Sequence, residues 1–290
     1  MNPAIAYLNG KFLPLAEVSI SPFDRGFLFA DGVYEVIPVY HGRLFQLAGH
    51  LRRLQDSLAA IQVHSGLERD NWEALLTGLV ERNSGGQLAI YLQVTRGAPP
   101  IRDHNFPGTG TPATIFAMAT SLKPLPETLY QQGISAITCA DIRWGACHIK
   151  SIALLANVLA RQQAVAQGAT DAILVRDGYL TEAAASNVFL VQDGVLLTPR
   201  KDQRILPGIT RELILELAVA TAIPCEEQDL PATRLAEADE IWLSSSTKEI
   251  IPVTTLDGRP VGAGVPGPLW RRMMALYQDY KQMACPPVGV

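Results

Sequence analysis

The feature that most constrains this chain is a leucine ladder framed by hairpin signals. Leu47, Leu51, Leu54, Leu58 and Ile61 recur at spacings of four and three, which places them on one face of a helix. Such a face must be covered, and the neighbouring sequence offers strands to cover it. The apolar stretch Ile5–Leu8 meets Asn9-Gly10 and returns through Lys11-Phe12, as a two-residue hairpin turn requires. Residues 33–40 are β-branched and aromatic, close on His41-Gly42 and resume at Leu44-Phe45. A second helix is expected through Trp72, Leu75, Leu76, Leu79 and Val80, with strands at 88–94 and 114–120. Strands followed by packed helices predict a small α+β domain over 1–120.

Residues 98–112, rich in proline and glycine, fit neither period and read as a loop. Leu122-Lys123-Pro124-Leu125-Pro126 is a proline-stiffened segment, so 121–126 is taken as a linker and 127–290 as a larger second domain. That domain has strand candidates at 134–139, 172–175, 188–191 and 241–244, with Asp177-Gly178, Asp193-Gly194 and Asp257-Gly258 as turns. Helices are expected at 151–167, at 210–221 and from Pro268 into the tail. There is no internal repeat.

Composition limits the functions open to the chain. Its 290 residues suffice for two domains, and 48% hydrophobic with 18% charged residues marks a folded protein. A formal net charge of −4 gives no footprint for nucleic acid and no polybasic patch for an anionic membrane. No apolar run approaches the ~20 residues of a membrane span. Met1-Asn2-Pro3 lacks the opening of a signal peptide. Cys139, Cys147, Cys225 and Cys285 form no CxxC pair and no metal-ligand cluster, so no metal is expected and the thiols read as reduced. A cytoplasmic protein is the expectation.

Several residues invite chemistry, each with a plainer reading beside it. Lys150 precedes Ser151, a candidate helix cap, where the dipole would disfavour the ammonium; alone it reads as well as a surface lysine. Glu182 ends an extended segment before Ala183-Ala184-Ala185, or is an ordinary turn carboxylate. Pro207-Gly208-Ile209-Thr210-Arg211 opens a helix whose N–H groups and hydroxyl suit a phosphate, or simply cap it. Ser244-Ser245-Ser246-Thr247 follows a strand and offers hydroxyls to the same anion, or forms a polar loop. Arg53 lies roughly 120° from the centre of the leucine stripe at ~100° per residue, which fits a surface arginine as well as a phosphate ligand. Arg102-Asp103-His104 in the loop suits a carboxylate, or is solvated.

Taken together and in order, these segments resemble one family. Asp24-Arg25-Gly26, Asp31-Gly32-Val33-Tyr34-Glu35-Val36, Gln93-Val94-Thr95-Arg96-Gly97, Asp141-Ile142-Arg143-Trp144 with Ile149-Lys150-Ser151, Thr181-Glu182, Ser186-Asn187-Val188-Phe189, Gly208-Ile209-Thr210-Arg211 and Thr247-Lys248-Glu249-Ile250 are similar to pyridoxal-phosphate enzymes of fold type IV, and most of all to D-amino-acid aminotransferases. The resemblance implies an α/β (α+β) fold in two domains, the larger with a β-barrel-like core flanked by helices. It implies pyridoxal 5'-phosphate held by Lys150 as a Schiff base, with the same amine then shuttling a proton. Glu182 would face the ring nitrogen, and Arg53, Ile209, Thr210, Ser245 and Ser246 would hold the phosphate. Tyr34, Arg102 and His104 match the trap for the substrate carboxylate, the arginine and histidine coming from a neighbouring subunit, hence a homodimer with shared sites. The reaction implied is exchange of the amino group between D-amino acids such as D-alanine and 2-oxo acids such as 2-oxoglutarate, in two half-reactions. An L-branched-chain aminotransferase, an aminodeoxychorismate lyase and an (R)-amine transaminase share the fold and stay open, as does a binding protein without activity. Departures from the family are the Ala183-Ala184-Ala185 run where serines are common, the small pair Gly145-Ala146, and Asp103, expected either to repel a carboxylate or to pair with Arg102.

Overall fold

A computed structural model describes residues 4–287. The chain forms two compact units: residues up to Lys123 with Ile149–Ala153 and the tail from Ala284, and Pro124–His148 with Leu154–Met283.

The first unit contains β1 (Ile5–Leu8), β2 (Lys11–Pro14), α1 (Arg25–Phe29), β3 (Gly32–Tyr40), β4 (Arg43–Leu44), α2 (Leu47–Ala60), α3 (Arg69–Arg82), β5 (Leu88–Thr95) and β6 (Thr114–Ser121). Its six strands are ordered β2-β1-β6-β5-β3-β4. The β1–β2 hairpin closes Leu8 against Lys11, and Asn9 and Gly10 both take positive φ (45° and 91°), the mirror-image turn that such a pair favours. One face of the sheet, with Ile37, Ile90, Leu92 and Val94, packs against Leu51, Leu54 and Leu58 of α2 and Trp72, Leu76 and Leu79 of α3. Each such side chain contributes about 1.5–3 kcal/mol through burial, and Leu76→Ala would cost about 2–5 kcal/mol.

The second unit contains α4 (Glu127–Gln132), β7 (Ile134–Ala140), α5 (Leu155–Ala166), β8 (Asp171–Arg176), β9 (Tyr179–Ala183), β10 (Asn187–Gln192), β11 (Val195–Pro199), α6 (Ile209–Ala220), β12 (Cys225–Gln228), β13 (Glu240–Ser245), β14 (Glu249–Leu256), β15 (Arg259–Pro260) and α7 (Pro268–Ala284). The sheet runs β12-β11-β10-β13-β14-β7-β8-β9, with β15 beside β14. Leu180 of β9 and Leu197 of β11, near opposite ends of that order, share one core with Val188, Ile241 and Val253, so the sheet curls into a half-barrel. Ala160 and Ala164 let α5 lie close over Ile137, Ala172 and Leu174 on its other side. The buried Glu240 accepts from the backbone N–H groups of Leu269 (2.9 Å) and Trp270 (2.8 Å), fixing the start of α7.

Three expectations change. The helix expected at 151–167 begins at Leu155, because Ser151 is taken into a bridge with Val33. The same bridge explains why Ile149–Ala153, expected in the second domain, groups with the first unit. Strand β14 was not expected. Pro252 interrupts its apolar run and lacks the N–H a ladder needs, yet it pairs opposite Trp242.

Candidate active site

The candidate residues divide between the units. Tyr34, Arg53, Arg102, His104 and Lys150 belong to the first, and Glu182, Ile209, Thr210, Ser245 and Ser246 to the second.

Lys150 lies on an extended segment fixed at both backbone ends. Its N–H donates to Ser57 Oγ (3.2 Å), its carbonyl accepts from Tyr34 N–H (3.0 Å), and Ile152 N–H donates to Gly32 O (3.1 Å). Its position ahead of α5 removes the helix-dipole argument made from Ser151. Backbone pairing with β3, rather than a cap, sets its direction. Nζ sits 4.2 Å from the centre of the Tyr34 ring, which stacks on Tyr91 at 5.7 Å.

Arg53 is buried rather than exposed. Glu35, in phase with Val33 and Ile37 on the core face of β3, receives Arg53 Nε and Nη2, both at 2.8 Å, and meets His50 Nδ1 at 2.7 Å. His50, Ser57 and Arg53 lie successively further round one flank of α2, so a polar carboxylate in the sheet widens the helix's buried face beyond its leucines. Burial alone would raise the Glu35 carboxyl, but the charge and hydrogen bonds of Arg53, then of His50, outweigh it and hold the group well below the usual carboxylate range. Burial pushes His50 below the ordinary imidazole value against the pull of Glu35, helped by the charges of Arg53 and Lys150. A guanidinium held by two parallel hydrogen bonds has a fixed plane and direction.

Arg102 and His104 are both exposed on the 98–112 loop, and both contact Phe29: the Arg102 guanidinium lies 4.6 Å from the ring centre and the His104 ring 5.0 Å. Asp103 does not pair with Arg102. Its carboxylate accepts from Asn105 N–H at 3.1 Å, and this bond, first among the causes, holds it below its ordinary value.

In the second unit Glu182, on β9, is gripped on both oxygens. Oε1 accepts from Arg143, and Oε2 accepts from Asn187 Nδ2 and Leu206 N–H, each at 3.1 Å. Arg143 is itself fixed by Asp141 through Nε (2.9 Å) and Nη2 (2.8 Å). Burial disfavours the Arg143 charge, but Asp141 and Glu182 more than offset this. The carboxylate is therefore locked in one orientation.

The phosphate candidates of the second unit lie close to that lock. Asn187 pairs opposite Ser244 across β10 and β13, next to Ser245. A Cβ at Gly208 would come within 1.9 Å of Asn187 Oδ1, so only glycine lets the start of α6 approach so closely. Gly208 caps α6 without a side-chain hydrogen bond, leaving the first-turn N–H groups near Ile209 and Thr210 to attract an anion. Ser245 ends β13 and Ser246 begins the turn after it, both half-buried, while the buried Ser244 Oγ has no hydrogen-bond partner among the described residues. Ala183 and Ala184 are buried and Ala185 exposed, so this run offers no hydroxyl.

Sequence reasoning assigned no role to Glu35, His50, Ser57, Arg143 or Asn187. A signal for Glu35 existed: a glutamate in register with core residues of an alternating strand demands a buried cation. Asn187 had none, because its role arises only where Glu182, Leu206 and Gly208 converge.

The chain is similar to known proteins. The model of the amino-transferase class IV family matches residues 32–256. A D-alanine aminotransferase of Bacillus licheniformis is 40% identical over 93% of this chain and 95% of its own. One from Listeria innocua is 39% identical over 96% of each. Among solved structures, the branched-chain amino acid aminotransferase of Escherichia coli superposes with a TM-score of 0.89 at 25% identity, over 99% of this chain and 97% of that one.

Proposed function

The chain belongs to the class IV aminotransferase family, and from that premise we propose that it exchanges amino groups between D-amino acids, D-alanine among them, and 2-oxo acids such as 2-oxoglutarate. The observation that carries this reading is likeness of 39–40% over nearly the whole chain to D-alanine aminotransferases, against 25% to the branched-chain enzyme of the same fold.

The cofactor is pyridoxal 5'-phosphate, and the residues present fit it. The uncapped start of α6, the serines ending β13 and the orphaned Ser244 hydroxyl form a donor set for a phosphate, and Glu182 is a carboxylate locked as a ring N–H would need. When bound, this group supplies an aldehyde that accepts the amino group and a ring that withdraws electrons from the substrate Cα. Lys150 Nζ would hold it at the aldehyde carbon and move the proton at the substrate Cα. Glu182 holds a proton at the ring nitrogen. Thr210, Ser245, Ser246 and the Ile209 backbone hold the phosphate, and Arg53, aimed by Glu35, supplies its positive charge. Tyr34, Arg102 and His104 hold the substrate carboxylate. Because Lys150 moves its proton on one side only, the side that receives the carboxylate sets the handedness.

The working form in this reading is a homodimer, Arg102 and His104 serving the partner's Lys150. Supporting it, Leu155, Val158, Leu159 and Val165 of α5 lie together in solvent, Leu155 with 72% of its surface exposed. The compartment in this reading is the cytoplasm. None of the four cysteines is in a disulfide, and no described helix is long and apolar enough to cross a membrane.

Two experiments test the proposal. Holoenzyme mixed separately with D-alanine and L-leucine should lose its visible cofactor band with the first; selective bleaching by L-leucine or L-valine contradicts the D assignment. Lys150→Ala, inactive, and Arg102→Met, slowed at low D-alanine by a raised KM, should together regain activity at that concentration when mixed and re-associated, because one hybrid site then carries both native residues. No regained activity rules out shared sites.

A further inference from the structure

The geometry points to Phe29 as a positioning residue for the substrate carboxylate, acting through Arg102 and His104. This inference rests on the trap role proposed above for those two residues.

Loop 98–112 has no ladder of its own, so its backbone must be held from outside, and α1 holds it. Arg25, buried, donates through Nη1 to the carbonyls of Asp103 and Asn105 (3.1 Å to the latter) and through Nη2 to that of His104 (3.4 Å). One guanidinium thus spans three consecutive carbonyls of the segment bearing the trap. Asp31 orients it, accepting from Arg25 Nε at 2.7 Å and from Arg96 Nε at 2.8 Å and Nη2 at 2.9 Å. Burial would raise the Asp31 carboxyl, but Arg96 and Arg25 outweigh it and hold it low. Arg96 in turn lies 3.6 Å over the Phe106 ring and donates to the carbonyls of Gln62 (3.0 Å) and Ile61 (2.7 Å). The backbone of the loop is thereby pinned at Asp103 to Asn105, with the Phe106 ring held beside it.

Backbone pinning does not orient exposed side chains. A flexible guanidinium costs rotamer entropy to immobilise on a ligand, and that cost falls if a neighbour already holds its plane. Phe29 is placed for this. Its ring carries Arg102 at 4.6 Å and Arg25 at 4.9 Å, with His104 at 5.0 Å and an angle of 42° between the rings. Phe29 ends α1, so the helix that clamps the loop backbone also presents the ring that gathers both trap side chains. The ring attracts the cation through its face and leaves the donor edges of Arg102 to a carboxylate.

The test compares Phe29→Leu with Phe29→Tyr in the holoenzyme, using D-alanine, 2-oxoglutarate and propionate, a simple carboxylate that competes for the trap. Phe29→Leu should raise both KM values and the propionate inhibition constant about 3- to 10-fold, the scale of one lost cation–π contact. The maximal rate should stay within about twofold, and Phe29→Tyr, which keeps an aromatic face, should restore native constants. In an Arg102→Met background the leucine substitution should add less, because of the two residues it acts through only His104 remains. If Arg102→Met raises the KM values and Phe29→Leu does not, the positioning role is overturned while the trap reading stands. If Arg102→Met leaves KM and inhibition unchanged, the trap reading falls and this inference with it. An effect that persists undiminished in the Arg102→Met background, or that lowers the rate as much as it raises KM, makes Phe29 merely structural. Should Phe29→Leu fail to fold, Phe29→Met carries the same comparison.

Discussion

Glu35 and Glu182 are both glutamates on strands, both set against an arginine, and they solve different problems. Glu35 has no exposed surface and gives its oxygens to the side chains of Arg53 and His50. Glu182 retains 6% exposure and is held by one arginine, one amide and a backbone N–H drawn from three separate segments. A buried ion pair is weak evidence for stability, since desolvation offsets most of the attraction. What Glu35 secures instead is direction, by fixing the plane of Arg53. Glu182 is itself the aligned group. One unit therefore uses a carboxylate to aim a cation, and the other uses a cation to aim a carboxylate.

That contrast breaks most readily at Glu182. Glu182→Gln should lower turnover by about 10²–10⁴-fold, because a neutral amide cannot hold the proton at the ring nitrogen. Steady-state assay with D-alanine and 2-oxoglutarate checks this, and near-native turnover would remove the carboxylate's assigned role. Glu35→Gln should show the reverse pattern. Leaving Arg53 buried opposite a neutral partner should cost about 3–5 kcal/mol in denaturant unfolding and weaken retention of pyridoxal phosphate, with a smaller effect on the rate of the fully loaded enzyme. If Glu35→Gln lowers turnover at saturating cofactor as much as Glu182→Gln, the two carboxylates are not doing different jobs.

A smaller effect sharpens the same distinction through pH. His50 is held below its ordinary value of roughly 6.5, so between that value and its folded one the unfolded chain binds more protons and stability falls as pH falls. Glu35 is also lowered, so its contribution is present above the usual glutamate range near ~4.3 and is lost only in stronger acid. His50→Gln should flatten the loss of stability from pH 7 to 5 while leaving the acid limb in place. An unchanged slope in urea unfolding across that range would show that His50 does not titrate with folding.

How much of this was legible in the sequence depended on whether the cause was local. Asn9-Gly10, His41-Gly42 and the leucine ladder act over a few residues, and the hairpins and α2 lie where those signals put them. Lys150, Glu182 and the start of α6 stood out only jointly, through a resemblance spread along the chain. What stayed hidden came from distant partners. Arg53 fitted the surface as well as a ligand's position because helical periodicity ignores Glu35 across the sheet. Ser151 read as a cap because nothing nearby reveals its bridge to Val33. Pro252 concealed β14 because ladder neighbours on both sides, β13 and β7, outweigh one missing donor. Phe29 gave no sign at all, since the two residues it gathers lie more than seventy positions away along the chain.

Every role assigned above depends on which amine bonds the cofactor. Treating the holoenzyme with borohydride, digesting it and mapping the pyridoxyl-tagged peptide by mass spectrometry answers that directly. One stoichiometric tag is expected, on the lysine of Cys147-His148-Ile149-Lys150-Ser151. A tag on Lys248 or another lysine, or none on any peptide from a protein with full cofactor occupancy, would contradict the assignment.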